Sequence, residues 1–476
     1  MPPPAPWWAA QIGLDRGISI MASATRTRRA ATARSAVPSQ GASPAGHAPE
    51  PSASGPRASA RGSRSRTSSA AAPRLGGRQG GAGAFRLQQL VLIEVAAALL
   101  LVAWVVHPLA LVPTGAVAAL LVLLAVVRRH RRSLPEWLAT IVALRARTRR
   151  AASTTLPPGT EPGLAPVVEC DPSLRTYSYS ARDRRPVGMI GDGTFLTAVL
   201  QVEADGTALR RDRTQRPLPL GLVRDALDVD GIRLESAQIV QHAQPAPAPH
   251  LPVDSVAVRN YAPLQERTGS PAVRITWIAL KLDPELCSEA VAARGGGLTG
   301  AQKCLLRAAD QLASRLAGAG FRASVLSEQG LVSALATSVC ANPRALTRAD
   351  RDRAPGRRTQ ETSRTWRCDD RRHTTYWIGR WPQFGEGGAS MPQLVALLTS
   401  IPALATTFSL TLSGGGDRQE VGVTGYVRIT GGSDEELVAS RHELERAARG
   451  VRTGLVRLDR EQLPAMLATL PLGGAR

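Results

Sequence analysis

Lysine is almost absent from this 476-residue chain: Lys281 and Lys303 are the only two. Positive charge is carried by arginine instead, and the formal net charge is +21. Aromatic residues make up only 4% of the chain, too few for the base-stacking platforms of a single-strand nucleic-acid binder. The charge is also misplaced for such a role. Residues 1–86 hold twelve Arg against Asp15 and Glu50, and residues 87–160 hold eight against Glu94 and Glu136. Basicity is thus a property of a tail and of the segment after it. That pattern selects anionic lipid headgroups over nucleic acid as the partner.

Paired cysteines are missing too. Cys170, Cys287, Cys304, Cys340 and Cys368 are odd in number, widely scattered, and contain no CxxC. This excludes a disulfide framework and points to free thiols in a reducing compartment. A Walker motif is lacking. Arg294–Gly297 precedes Thr299 and Lys303 but no Gly-Lys-Ser/Thr follows, so the run reads as a glycine hinge entering a helix capped by Thr299. Cys368, Asp369, Asp370 and His373 lack the second ligand pair that zinc needs, and read as a polar hairpin tip. Gly431–Glu436 reads as a helix start, with Ser433 and Glu436 as a capping box. No catalytic, cofactor-binding or metal-binding residue is nominated.

Two apolar runs are present, Leu90–Val106 and Leu109–Val127, separated by His107 and Pro108. With Leu87–Gln89 the first approaches the ~20 residues that a bilayer span needs. Arg86 precedes them, and Arg128, Arg129, His130, Arg131 and Arg132 follow. The expectation is a two-helix transmembrane hairpin in the cell inner (cytoplasmic) membrane, with both termini cytoplasmic. Glu94 inside the first run is either snorkelling to water or meeting a partner. Ser133–Thr148 reads as an amphipathic helix, with Leu134, Trp137, Leu138, Ile141 and Val142 on one stripe. That stripe faces either the headgroup region or a protein surface. The candidate membrane or partner contacts are Glu94, Arg128, Arg129, Arg131, Arg132, Leu134, Trp137, Leu138 and Ile141.

The remainder alternates strand and helix signals. Strands are expected at 187–203 (with a turn at Gly191–Gly193), 232–241, 274–282, 321–326, 374–381, 406–412, 420–430 and 451–458. Helices are expected at 220–227, 298–316, 328–339, 391–399, 434–448 and 461–467. The order β-α-β-β-α-β occurs twice, which suggests ferredoxin-like units. The expected fold class is therefore a membrane-anchored α/β (α+β) protein: a two-helix transmembrane hairpin, then a cytoplasmic body of two ferredoxin-like halves. The expected organisation is a disordered basic tail at 1–85, the hairpin at 86–132 and the juxtamembrane helix at 133–150. A linker at 151–166, a first half at 167–340, a mobile loop at 341–365 and a second half at 366–476 complete it. Met21 is an alternative start to Met1.

Several stretches taken together carry a family resemblance. They are RRHRRSLPEWL after the apolar runs, PVGMIGDGTFLTAVLQV at 186–202, PLPLGLVRDAL at 217–227, RITWIALKLDPELCSEAVAARGGG at 274–297 and HTTYWIGRWP at 373–382. In their order the chain resembles EccE, a membrane component of actinobacterial type VII (ESX) secretion systems. The resemblance covers about 85–460 and leaves out the basic tail. It implies a non-enzymatic scaffold without cofactor, joined to EccB, EccC and EccD, with EccC supplying the ATPase. The rival expectation is a membrane-anchored enzyme or regulatory module acting on a nucleotide or lipid headgroup, through Arg294–Gly297 or Cys368–His373.

Overall fold

The computed structural model describes residues 94–105, 111–126, 128–129, 132–181, 184–204, 217–245, 254–256, 258–260, 273–345, 347, 356–384, 390–414 and 421–475. The basic tail, His107, Pro108, Arg131 and residues 348–355 of the expected loop lie outside them.

Twelve strands form one sheet, and every ladder in it is antiparallel. In chain order they are β1 Arg175–Ser180, β2 Pro186–Gly191, β3 Leu196–Ala204, β4 Ser236–Gln244, β5 Val273–Leu282 and β6 Phe321–Val325. Then come β7 Thr359–Glu361, β8 Trp366–Cys368, β9 Arg371–Arg380, β10 Ala405–Gly414, β11 Val421–Gly431 and β12 Gly454–Arg457. Across the sheet the order is β7-β8-β9-β11-β10-β4-β5-β3-β2-β1, with β6 added on β3 and β12 on β9.

The central strands are buried on both faces, so helices cover both. The helices are α1 (94–105), α2 Leu111–Val126, α3 Leu134–Ser153, α4 Ala165–Cys170, α5 Leu220–Asp225 and α6 Ser288–Ala293. They continue with α7 Gly297–Gly318, α8 Glu328–Ser338, α9 Met391–Thr399, α10 Asp434–Gly450 and α11 Gln462–Leu467. Alternation along β5 shows the division of labour. Ile278 and Leu280 face the core built with α7, α9 and α10. Trp277 and Ala279 face the opposite core, built with α4, α8 and α11. Serine caps set the helix starts: Ser327 accepts from Gly330 N at 3.2 Å, and Ser390 and Gln393 form a capping box.

The expectation of two ferredoxin-like halves is overturned. Strands from both segments lie in one sheet, with β4 paired to β10 from Ser236↔Ser413 to Ala243↔Thr406. Each segment also completes the other's core. The chain after α11 crosses the strands of the earlier segment, where Thr197 Oγ1 donates to Leu472 O at 3.0 Å. Gln238 Nε2 donates to Ala468 O at 2.9 Å, and Gly473 N donates to Gln238 Oε1 at 2.8 Å. In return α4 holds β7: Glu169 accepts from Thr359 N at 2.8 Å and Thr359 Oγ1 at 2.7 Å. Local periodicity reports strands and helices but carries no signal for such long-range pairing.

The transmembrane hairpin, and with it the two-span inner-membrane location, is overturned as well. Among the described residues no helix is long and apolar enough to cross a membrane. α2 has 16 residues, about 24 Å at 1.5 Å per residue, against a hydrocarbon core of about 30 Å.

One close approach in this fold is testable. Gly188 N donates to Leu326 O at 2.8 Å, and a Cβ on Gly188 would sit 2.5 Å from the backbone of Glu328. Backbone atoms cannot give way as a side chain can. Gly188→Ala is expected to destabilise the protein by about 2 kcal/mol or more. Urea unfolding would show a lower midpoint at unchanged slope.

Candidate interaction surface

α3 leaves the apolar helices and docks on the sheet by a buried ionic clamp. Arg147 Nε and Nη2 donate to Glu361 Oε2 and Oε1 at 2.8 and 3.0 Å. Arg147 Nη2 also donates to Arg460 O at 2.6 Å. The pair is largely enclosed, with 14% of the Arg147 side chain and 3% of that of Glu361 exposed. Glu361 Oε1 accepts further from Leu463 N at 3.0 Å, which links the clamp to the start of α11. One turn of chain away, the Arg460 guanidinium lies 5.4 Å over the Trp137 ring. A cation held over an aromatic face adds attraction where water is excluded. Arg357 Nη1 closes the joint by donating to Ala151 O at 2.8 Å.

This arrangement sorts the expected contact residues. Trp137 is half-buried against the body, and Ile141 is half-buried. Leu138 is 47% exposed, and Val142, four residues on, is exposed beside it. Glu94 is exposed at the start of α1. Arg128, Arg129 and Arg132 lie in a two-residue ladder, Arg128↔Ser133 and Arg129↔Arg132, and Leu134 opens α3. The structure thus brings Trp137 to the body and leaves Leu138 outside. Sequence reading missed the anchoring of Arg147 by Glu361 and Arg460, which lie 214 and 313 positions further along the chain.

The apolar helices present large side chains outward. Leu101, Val102, Trp104 and Val105 on α1 and Val112 on α2 are all exposed.

The sites considered for chemistry are occupied by structure. Gly295, Gly296 and Gly297 all have positive φ, and Lys303 Nζ donates to Arg294 O at 3.0 Å. Gly296, and not Thr299, is the N-cap of α7. Asp369 is held by Arg358 at 2.8 and 2.7 Å, and Asp370 by Asn342 Nδ2 at 2.9 Å, at the β8–β9 turn. Among the described residues no group of His, Cys, Asp and Glu could hold a metal ion. The cysteines are free, and burial pushes the Cys170 thiol up to about 12 and those of Cys340 and Cys368 upward as well.

A polar row crosses the sheet on the α8 face. His242 of β4, Thr407 of β10, Arg428 of β11 and Thr375 of β9 are successive register partners, all fully buried. His242 Nδ1 bonds Thr407 Oγ1 at 2.9 Å, and His373 Nδ1 bonds Thr430 Oγ1 at 2.9 Å. Burial first, and then the Arg428 charge, lower the His242 pKa to about 3 and the His373 pKa well below the usual imidazole range. Both imidazoles fold neutral, while the unfolded chain protonates them near pH 6.5. Stability is therefore full above pH 6.5 and falls as pH drops through that value toward the folded pKa. His242 alone accounts for about 2 kcal/mol between pH 7 and pH 5. In His242→Gln the melting temperature is expected to fall less over that interval than in the parent.

These features belong to an α+β fold built on one large antiparallel sheet. Residues 270–378 match the family model described as "Putative type VII ESX secretion system translocon, EccE". The match over this stretch supports assignment to the EccE family, which points to a component of a type VII secretion system. The matched span runs from β5 through most of β9 and crosses from one segment of the shared sheet to the other. No match was found among curated proteins. The EccE family implies association with other type VII secretion subunits.

Proposed function

We propose that this chain is a non-enzymatic structural subunit of the type VII secretion complex, packing its α/β body on EccB, EccC and EccD. The observation that carries this reading is the contrast between the inside and outside of the fold. Residues able to do chemistry, such as His242, His373 and Cys368, are enclosed within it. Large apolar side chains of α1, α2 and α3 are presented outward, and Arg147 and Glu361 fix α3 to the sheet. In this reading Leu138, with Val142 beside it, meets a partner subunit. Leu134 and Ile141 flank that contact, while Trp137 serves as its seat on the body. In the same reading Glu94 is a further partner contact, and the arginines 128, 129, 131 and 132 meet anionic lipid headgroups.

The test is affinity purification of the tagged full chain from its native cells in mild detergent, read by mass spectrometry. Co-purification of an FtsK-type ATPase together with the other core subunits in one large assembly is expected. A clean monomer across several detergents would overturn the proposal.

A further inference from the structure

Arg428 is fully buried in the middle of the sheet, and no carboxylate among the described residues forms an ion pair with it. Its Nη2 donates to the carbonyl of Ser338, to Thr407 Oγ1 at 3.2 Å and to Ser338 Oγ at 3.5 Å. Nε and Nη1 have no hydrogen-bond partner. Two further buried groups are also unpartnered, His373 Nε2 and Thr375 Oγ1. These groups are neighbours. Thr375 lies directly opposite Arg428, and His373 is two residues before Thr375 on the same face of β9.

The surroundings are enclosed. The end of α8 lies above Arg428 through Ser338, Cys340 bonds Thr430 at 3.7 Å, and the Trp366 ring sits 4.9 Å from that of His373. The carbonyl end of α8 carries about half a negative charge and offsets part of the guanidinium charge. The rest is uncompensated, and a buried charge without a counter-charge is among the costliest features a fold can hold. Burial lowers the Arg428 pKa to about 10, so the group is still charged at neutral pH. The two imidazoles beside it fold neutral and bring no opposite charge.

We infer that Arg428, His373 and Thr375 form an internal binding site for one single-atom monovalent anion of the halide class. Such an anion accepts from guanidinium N–H, imidazole N–H and hydroxyl together, and it cancels the charge that water would leave in place. With Thr430 Oγ1 donating to Nδ1, His373 is the neutral tautomer that carries its proton on Nε2, which completes the donor set. The site lies under the end of α8, where the two segments of the chain share the sheet, so the ion would bind the seam from within.

The test uses the full chain crystallised in sodium bromide, with anomalous data collected at the bromine edge. An anomalous peak within hydrogen-bond distance of Arg428 Nη1 and Thr375 Oγ1 is expected. An ordered water there with no anomalous peak would overturn the site. A second readout compares melting temperature in chloride and in gluconate at equal ionic strength. The parent should melt roughly 5 °C higher in chloride, and Arg428→Met should melt equally in both. Thr375→Val, a milder change, should reduce the chloride increment if Arg428→Met does not fold. Equal melting of the parent in both salts would also overturn the inference.

Discussion

Glu361→Ala is expected to destabilise the protein by about 3–5 kcal/mol, the usual cost of breaking a buried ion pair by removing one partner. The loss is large because Arg147 stays enclosed with its charge uncompensated, and because Leu463 N loses its acceptor along with Arg147. Glu361→Gln keeps an acceptor for Leu463 N and should lose less. Both variants should speed amide exchange in α3 while the β4–β10 seam stays protected, since the clamp ties only α3 and the start of α11. Chemical denaturation with hydrogen exchange read by mass spectrometry checks both outcomes. A change under about 1 kcal/mol, within the range of exposed pairs, would show that α3 is not held through Glu361.

Leu470→Ala should cost about 3 kcal/mol, in the range of fully buried Leu→Ala changes. Leu470 is fully buried in the core beneath α8, on the chain segment that crosses the seam. Its loss would loosen that segment, which donates and accepts with Gln238 and Thr197. Exchange should therefore rise in β3 and β4, strands more than 200 positions earlier in the chain. Faster exchange confined to the last residues would show instead that the crossing segment does not hold the seam. This outcome separates one shared sheet from two independent units.

Much of the local structure was legible in the sequence. The helix at 391–399 is found with those bounds, because Ser390 and Gln393 form its capping box and Leu394 and Leu398 its buried stripe. The strand at 274–282 is found one residue longer, since its apolar residues serve two cores. β1 was missed because it is a polar edge strand, RTYSYS, with little burial contrast. β7 and β8 were missed because three residues are too few to show a period of two. The larger errors were of another kind. Apolar runs were equated with spans from composition alone, while among the described residues no helix is long and apolar enough to cross a membrane. A repeated order of elements was equated with separate units, while β4 and β10 join them in register. Of the interaction surface, the α3 stripe was legible from its spacing. Its anchor was not, because Arg147, Glu361 and Arg460 meet only through tertiary packing.

The most direct test of the scaffold reading is assembly of Leu138→Glu/Val142→Glu in the native cells. Both positions are exposed, so the fold should survive, and the melting temperature of the purified chain should match the parent. The reading predicts that this variant is lost from the co-purified type VII assembly and that secretion through it fails. Full incorporation of the variant with undiminished secretion would contradict the reading.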